Sequence, residues 1–201
     1  MPDQTIPSSN AGQAEGDPAA LDARLRDDIR LYPVQTAQRG MAWMKLIARG
    51  RACQGRIIND ANAITALAEA VARIGRYEWP VRLTATVEAF LAEVGDAIGV
   101  ELDPHDLSPV ADKLGAVTAL VAATVRNTAN PTMLDAGYKV NVIPQEATAH
   151  IDGRFLPGYE DEFYATIDEL LGPDVRRETV HGDIALETSW DGDLVEAMKE
   201  S

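Results

Sequence analysis

From Glu146 to Arg154 the side chains change character at every second position. Ala147, Ala149 and Ile151 fall on one side; Thr148, His150, Asp152 and Arg154 fall on the other. Only an extended strand puts residues i and i+2 on a common face, so this stretch must be a strand with one buried and one polar side. A one-residue slip would exchange the two faces, which makes this strand the most constrained element of the chain.

The same period recurs in Met41–Arg49. Met44, Leu46 and Ala48 share one face, and Trp43, Lys45 and Ile47 the other. Gly50 and Gly55 end that run. Asn59 and Asp60 are candidate N-caps for the helix that follows, with Ile64, Leu67, Ala68, Val71 and Ile74 as its apolar face and Gly75 as its stop. Thr132–Ile143 reads as another strand, and a tight connection at Pro144–Gln145 makes it a hairpin with Glu146–Arg154. Pro157–Gly158 is a turn. Phe163, Ile167, Leu170 and Leu171 mark a helix that stops at Gly172–Pro173, and Val175–Val180 reads as a last strand.

Residues 76–127 interrupt this series with a helical insert. Leu83, Val87, Phe90, Leu91, Val94 and Ile98 form one stripe closed by Gly99; Leu114, Val117, Val121 and Val125 form another. Between Glu88 and Asp112 there are seven acidic side chains and no basic one, a solvated face. With the insert set aside the order is β-α-β-β-α-β. The fold class expected is α+β: a ferredoxin-like antiparallel sheet with helices on one face. Residues 1–30 read as a disordered tail and a short helix on Leu21, Leu25 and Ile29; residues 31–190 as the folded domain; and 191–201 as the start of a return segment whose helix, on Leu194, Val195 and Met198, the chain end cuts short.

Composition narrows the function. Lys and Arg number 18 against 32 Asp and Glu, a formal charge of −14. That balance argues against nucleic-acid and anionic-lipid partners, because both need clustered basic side chains. The first twenty residues carry acids and no base, which is not a secretory leader. No apolar run reaches membrane-spanning length, and the single Cys53 allows no internal disulfide. A cytoplasmic protein is the expectation.

Chemistry-bearing motifs are few. There is no Gly-x-Ser-x-Gly elbow and no phosphate-cradling glycine loop. Cys53 sits in a loop beside Arg51 and Arg56, a setting that lowers a thiol's pKa, but such a cysteine is more often an ordinary loop or strand-end residue. His150–Ile151–Asp152 and His181–Gly182–Asp183 each offer two metal donors on one strand face, without an evident third. Around the expected hairpin, Lys139, Asn141, His150, Asp152 and Arg154 form a polar cluster. Arg154 supplies a planar fork suited to a carboxylate and Asn141 an amide donor. A solvated sheet face with an internal Asp152–Arg154 pair fits the same residues, and alternation alone does not separate the two.

The run Gly137-Tyr-Lys-Val-Asn-Val-Ile-Pro144, followed by Ala149-His-Ile-Asp-Gly-Arg-Phe-Leu-Pro-Gly158, resembles the lid domain of the aminoacylase / dipeptidase / succinyl-diaminopimelate desuccinylase metallopeptidases. Gly40–Gly50 and Asn59–Ile64 are similar to that lid's first strand and helix, and Asn127–Thr132 to the approach to its second strand. The resemblance spans roughly residues 31–201. It implies a lid that dimerises, is joined to a catalytic domain holding two zinc ions, and closes over the substrate of an amide- or peptide-bond hydrolysis. It implies that Asn141 and Arg154 contact the substrate carboxylate or the reacting carbonyl. The family's oxyanion-stabilising His, in a Gly-His-Gly-Ser loop, is matched by Gln54 of Cys53-Gln-Gly-Arg56; an amide donates a hydrogen bond but carries no positive charge.

The zinc ligands and general-base Glu of the family lie mostly upstream of the lid, and no matching segment precedes Leu31. The expectation is therefore a lid and dimerisation domain, inactive alone, with no cofactor in this chain although the full-length family uses zinc. Its partners would be a second copy or a separate catalytic domain. The alternatives are a non-catalytic subunit or a homodimeric interaction module, pairing isologously through an edge strand and a helix.

Overall fold

The computed structural model describes residues 24–26, 29–30, 35–103, 105, 124–189 and 191–199. The strands among these residues are β1 (Arg24–Arg26), β2 (Ile29–Arg30), β3 (Ala37–Gln38), β4 (Gly40–Arg49), β5 (Cys53–Gln54), β6 (Thr128–Ala136), β7 (Val142–Ile143), β8 (Glu146–Phe155), β9 (Val175–Asp183) and β10 (Leu186–Glu187). The helices among the described residues are α1 (Ala63–Arg76), α2 (Ala85–Ile98), α3 (Glu160–Leu171) and α4 (Asp193–Lys199). The main sheet has the order β6-β8-β4-β9, and every neighbouring pair is antiparallel. Along the chain its elements run β4-α1-β6-β8-α3-β9, the expected β-α-β-β-α-β succession, and the fold is α+β.

Alternation decides which sheet face is covered. Ala42, Met44, Leu46 and Ala48 of β4 and Ala147, Ala149, Ile151 and Phe155 of β8 are buried. They pack with Leu67, Ala70 and Ile74 of α1 and Phe163, Ile167 and Leu171 of α3 in one core. Each large aliphatic or aromatic side chain so buried contributes about 1.5–3 kcal/mol. The alternate positions Met41, Trp43, Lys45, Thr148, His150, Asp152 and Arg154 face the other way and stay at least partly exposed, leaving a largely open face on which Ile47 is buried. Gly153 lies on the covered side because a Cβ there would stand 2.5 Å from Phe163 Cζ. Beside it Phe163 stacks on Trp79, with ring centroids 5.0 Å apart.

Helix α1 starts two to three residues later than expected. Its N-cap is Asn62, whose side chain accepts from Ile64 N at 2.9 Å. Asn59 instead closes an Asx turn on Ala61 N, and Asp60 does not cap the helix. The helix also runs past Gly75 to Arg76; a Cβ on Gly75 would stand in ordinary contact with Pro131 of β6, at 3.6 Å. The buried face is Ala63, Leu67, Ala70 and Ile74, whereas Ile64 and Ala68 are exposed.

Two further expectations change. Around Leu25 and Ile29 the chain forms two short antiparallel strands, with Arg24 opposite Arg30, in place of a helix. Three apolar residues over nine positions do not outweigh the cost of helix nucleation. The strand expected over 132–143 is two elements. Gly137, at φ 74°, turns the chain out of the sheet after Ala136, and β8 pairs with β6 over a nine-residue connection. Val142–Ile143 pairs instead with Cys53–Gln54. The expected tail at 1–20 lies outside the described residues.

The insert builds its own small core. Helix α2 begins at N-cap Thr84, ends at left-handed Gly99, and buries Val87, Leu91 and Val94 against Leu102 and Val125. Of the second expected stripe, Leu114, Val117 and Val121 lie outside the described residues. Polar contacts fasten the insert to the sheet domain. Arg82 forks onto the Glu162 carboxylate at 3.1–3.3 Å, and Thr86 N donates to Glu187 Oε1 at 3.1 Å.

Candidate functional site

The sequence-derived residues divide between two ends of β8. At the Glu146 end, β5 and β7 pair with Cys53 opposite Ile143 and Gln54 opposite Val142. Gly55 N donates to Asn141 O at 2.9 Å, and Gly50 N to Gln145 O at 2.9 Å. Two loops distant in sequence thus form one tip, with the exposed Gln54 and Asn141 side by side on it. Asn59 braces the tip, donating to Arg51 O at 2.8 Å and to Cys53 Sγ at 3.4 Å. That contact and its partial burial make Cys53 a packing residue of the loop. Tyr138, Val140 and Ile58 are almost wholly exposed on the same tip.

Arg154 lies at the opposite end, paired with Met41 and Thr128. Eight residues of strand separate it from Glu146, about 26 Å at the usual rise. The expected cluster is therefore split: Lys139 and Asn141 belong to the tip, while His150, Asp152 and Arg154 share the open sheet face. Arg154 Nε donates to Asp152 Oδ1 at 2.9 Å, and Nη2 reaches Oδ2 at 3.5 Å. Asp152 also accepts from Trp43 Nε1 at 3.1 Å. Trp43 was not among the sequence candidates. Its signal was available, since alternation already put an indole on a polar strand face.

His181 Nε2 approaches Asp183 Oδ2 at 3.5 Å, and its ring centroid lies 5.5 Å from that of Trp43. Further along this face Glu178, opposite Lys45, has its carboxyl held below the usual range, chiefly by a hydrogen bond from Arg176. Among the described residues no three His, Cys, Asp or Glu side chains gather closely enough to hold a metal ion. The two His-x-Asp triplets therefore do not make a zinc centre of the family's kind, and no step through zinc follows from these residues.

A family model described as the peptidase dimerisation domain matches residues 36–177, well over half of the chain. The chain belongs to the peptidase dimerisation domain family. The dimerisation domain also resembles solved structures. The di-peptidase Dug1p of Saccharomyces cerevisiae superposes with a TM-score of 0.53 at 13% identity, over 82% of this chain and 40% of that one. The M20 family metallo-carboxypeptidase Sso-CP2 of Sulfolobus solfataricus superposes with a TM-score of 0.52 at 16% identity, over 82% of this chain and 48% of that one. At such identities the likeness concerns the fold. The dimerisation domain spans less than half of each of these chains. No curated protein sequence matches it. No helix among the described residues is long and apolar enough to cross a membrane.

Proposed function

We propose that this dimerisation domain pairs with a second copy through β6 and α1, and serves as the lid of a zinc-dependent peptidase or amidohydrolase whose catalytic residues lie in another domain. The observation that carries the reading is an unpartnered surface at one side of the sheet. Strand β6 is an outer strand of the main sheet, and among the described residues one of its edges has no partner strand. Its neighbouring residues Met133 and Leu134 point to opposite faces and are 64% and 61% exposed. A Cβ on Gly75 of α1 would touch Pro131 of β6, so the helical stripe Ile64, Ala68, Val71 and Gly75 lies on that same side, with Ile64 and Ala68 exposed. Strand edge and apolar stripe together suit an isologous contact.

The separation within one copy supports a composite site. Gln54 and Asn141 sit on the tip beside the Glu146 end of β8, which is about 26 Å along the strand from Arg154, too far to meet one dipeptide-sized substrate. A site using all three would draw Gln54 and Asn141 from one copy and Arg154 from the other. In this reading Arg154 holds the substrate carboxylate, and the two amides donate to the reacting carbonyl. Hydrolysis itself belongs to the catalytic half, so the chain alone turns over no peptide.

Sedimentation equilibrium at micromolar concentration tests the dimer. The wild-type chain should be dimeric, and Ala68→Arg, on an exposed helical position, should give a folded monomer by circular dichroism. A monomeric wild type, or a variant that still dimerises, refutes the proposed surface.

A further inference from the structure

The open face beside Arg154 holds an aromatic wall that the carboxylate contact alone does not use. Strand β4 presents Met41 and Trp43 there, and β8 presents Arg154 and Asp152. Met41 is opposite Arg154, and Trp43 is opposite Asp152. Neighbouring strands are about 4.8 Å apart, so the two apolar side chains run directly alongside the charged pair. Trp43 is 44% exposed, although an indole is among the most favourable side chains to bury. Its ring is nevertheless fixed at two points. Nε1 is hydrogen-bonded to Asp152 at 3.1 Å, and the ring leans on His181 at a tilt of 53°. The same Asp152 takes Arg154 Nε at 2.9 Å. One carboxylate thus ties an indole and a guanidinium into a single unit.

We propose that Trp43 is a specificity-determining residue of the Arg154 site, and that the ligand class is an N-acylated or peptidyl amino acid with an aromatic or large aliphatic C-terminal side chain. The inference rests on Arg154 being the carboxylate contact. A carboxylate seated on Arg154 puts the substituent of its α-carbon within reach of the adjacent strand, over Met41 and Trp43. The indole N–H is already satisfied by Asp152, so what remains for a ligand is the apolar ring. Asp183 lies opposite Met41 on β9, and with Asp152 it flanks the wall with negative charge. Acidic ligand side chains are disfavoured there.

The test follows the Trp43 indole N–H resonance while the whole chain is titrated with N-acetyl-L-phenylalanine, N-acetyl-L-alanine and N-acetyl-L-phenylalanine amide. The phenylalanine acid should bind about tenfold more tightly than the alanine acid, the size of discrimination an apolar contact supplies. The amide, lacking the carboxylate, should bind at least as much more weakly. Followed by backbone amide shifts, Trp43→Ala should bring the two acids to equal affinity, while Trp43→Phe keeps the preference. Arg154→Gln should weaken both acids alike. Equal affinities in the wild type, with the Arg154 dependence intact, overturn the aromatic wall and leave the Arg154 reading standing. Binding that is absent, or indifferent to Arg154→Gln, overturns the Arg154 reading and the specificity proposal with it.

Discussion

Replacing Gly153 by Ala adds one methyl group to the covered face of the central strand β8. The new Cβ would stand 2.5 Å from Phe163 Cζ and 2.8 Å from Ala42 O, both closer than real Cβ contacts allow. Neither neighbour can yield easily. Ala42 O belongs to the backbone of β4, which is paired on both sides. Phe163 is fully buried, stacked on Trp79 at 5.0 Å and flanked by Phe155 at 5.8 Å and Tyr164 at 5.5 Å. Overpacking of this kind costs about 1–3 kcal/mol, and a site with two rigid neighbours belongs at the upper end. Reduced freedom of the unfolded chain returns about 0.4–1 kcal/mol. The net expectation is a loss of about 2 kcal/mol, or about 4–8 °C in Tm for a chain of this length. Urea unfolding followed by far-ultraviolet circular dichroism and tryptophan fluorescence measures it. A second variant isolates the cause: in Gly153→Ala/Phe163→Leu the smaller side chain makes room, so the double change should cost less than the sum of the two singles. A Gly153→Ala protein as stable as wild type, or strict additivity with Phe163→Leu, would refute the steric argument.

Asn127 is 2% exposed, and its Oδ1 accepts from Leu156 N at 2.8 Å. Asn127→Ala strands that buried N–H and should cost about 1–3 kcal/mol in chemical denaturation, whereas Asn127→Asp, which keeps the acceptor, should cost less at neutral pH. Glu187 has its carboxyl below the usual glutamate range because Thr86 donates to it, by side chain and by backbone. Its folded pKa is depressed, so the contact contributes at neutral pH and is lost as pH falls through that lowered value. The amide proton of Thr86 at the start of α2 should report that titration by NMR. A midpoint at or above the ordinary glutamate value would refute the link between insert and sheet.

The legibility of the fold varies with the range of the interaction that decides each element. The strands at 40–49 and 146–155 are visible in sequence because their alternation is local and strict. Helix α3 is visible because Phe163, Ile167 and Leu171 are spaced as one buried face. The break at Gly137 is less visible, because Val140, Val142 and Ile143 continue the β-branched character of a strand. What redirects them is pairing with Cys53–Gln54, a contact across about ninety residues that no local pattern encodes. The face of α1 shows a similar limit. Ile64 and Ala68 have core-like spacing, yet their exposure depends on α1 lying beside an edge strand. For the site, the identities of Gln54, Asn141 and Arg154 come from motif resemblance, but their separation comes only from strand register.

That register also explains why one triplet serves both the core and the candidate site. Asp152 and Arg154 point to the open face and Gly153 to the covered one, where Phe163 leaves room for no side chain. Sliding β8 by one residue against its neighbours would turn Asp152 and Arg154 into the aromatic core, where charged groups taken from water cost several kcal/mol each. It would also lift Ile151 and Phe155 out of that core, forfeiting about 1.5–3 kcal/mol apiece. Both faces therefore select the same register. The position of Arg154 beside Met41, and of Asp152 beside Trp43, follows from core packing before any ligand is present.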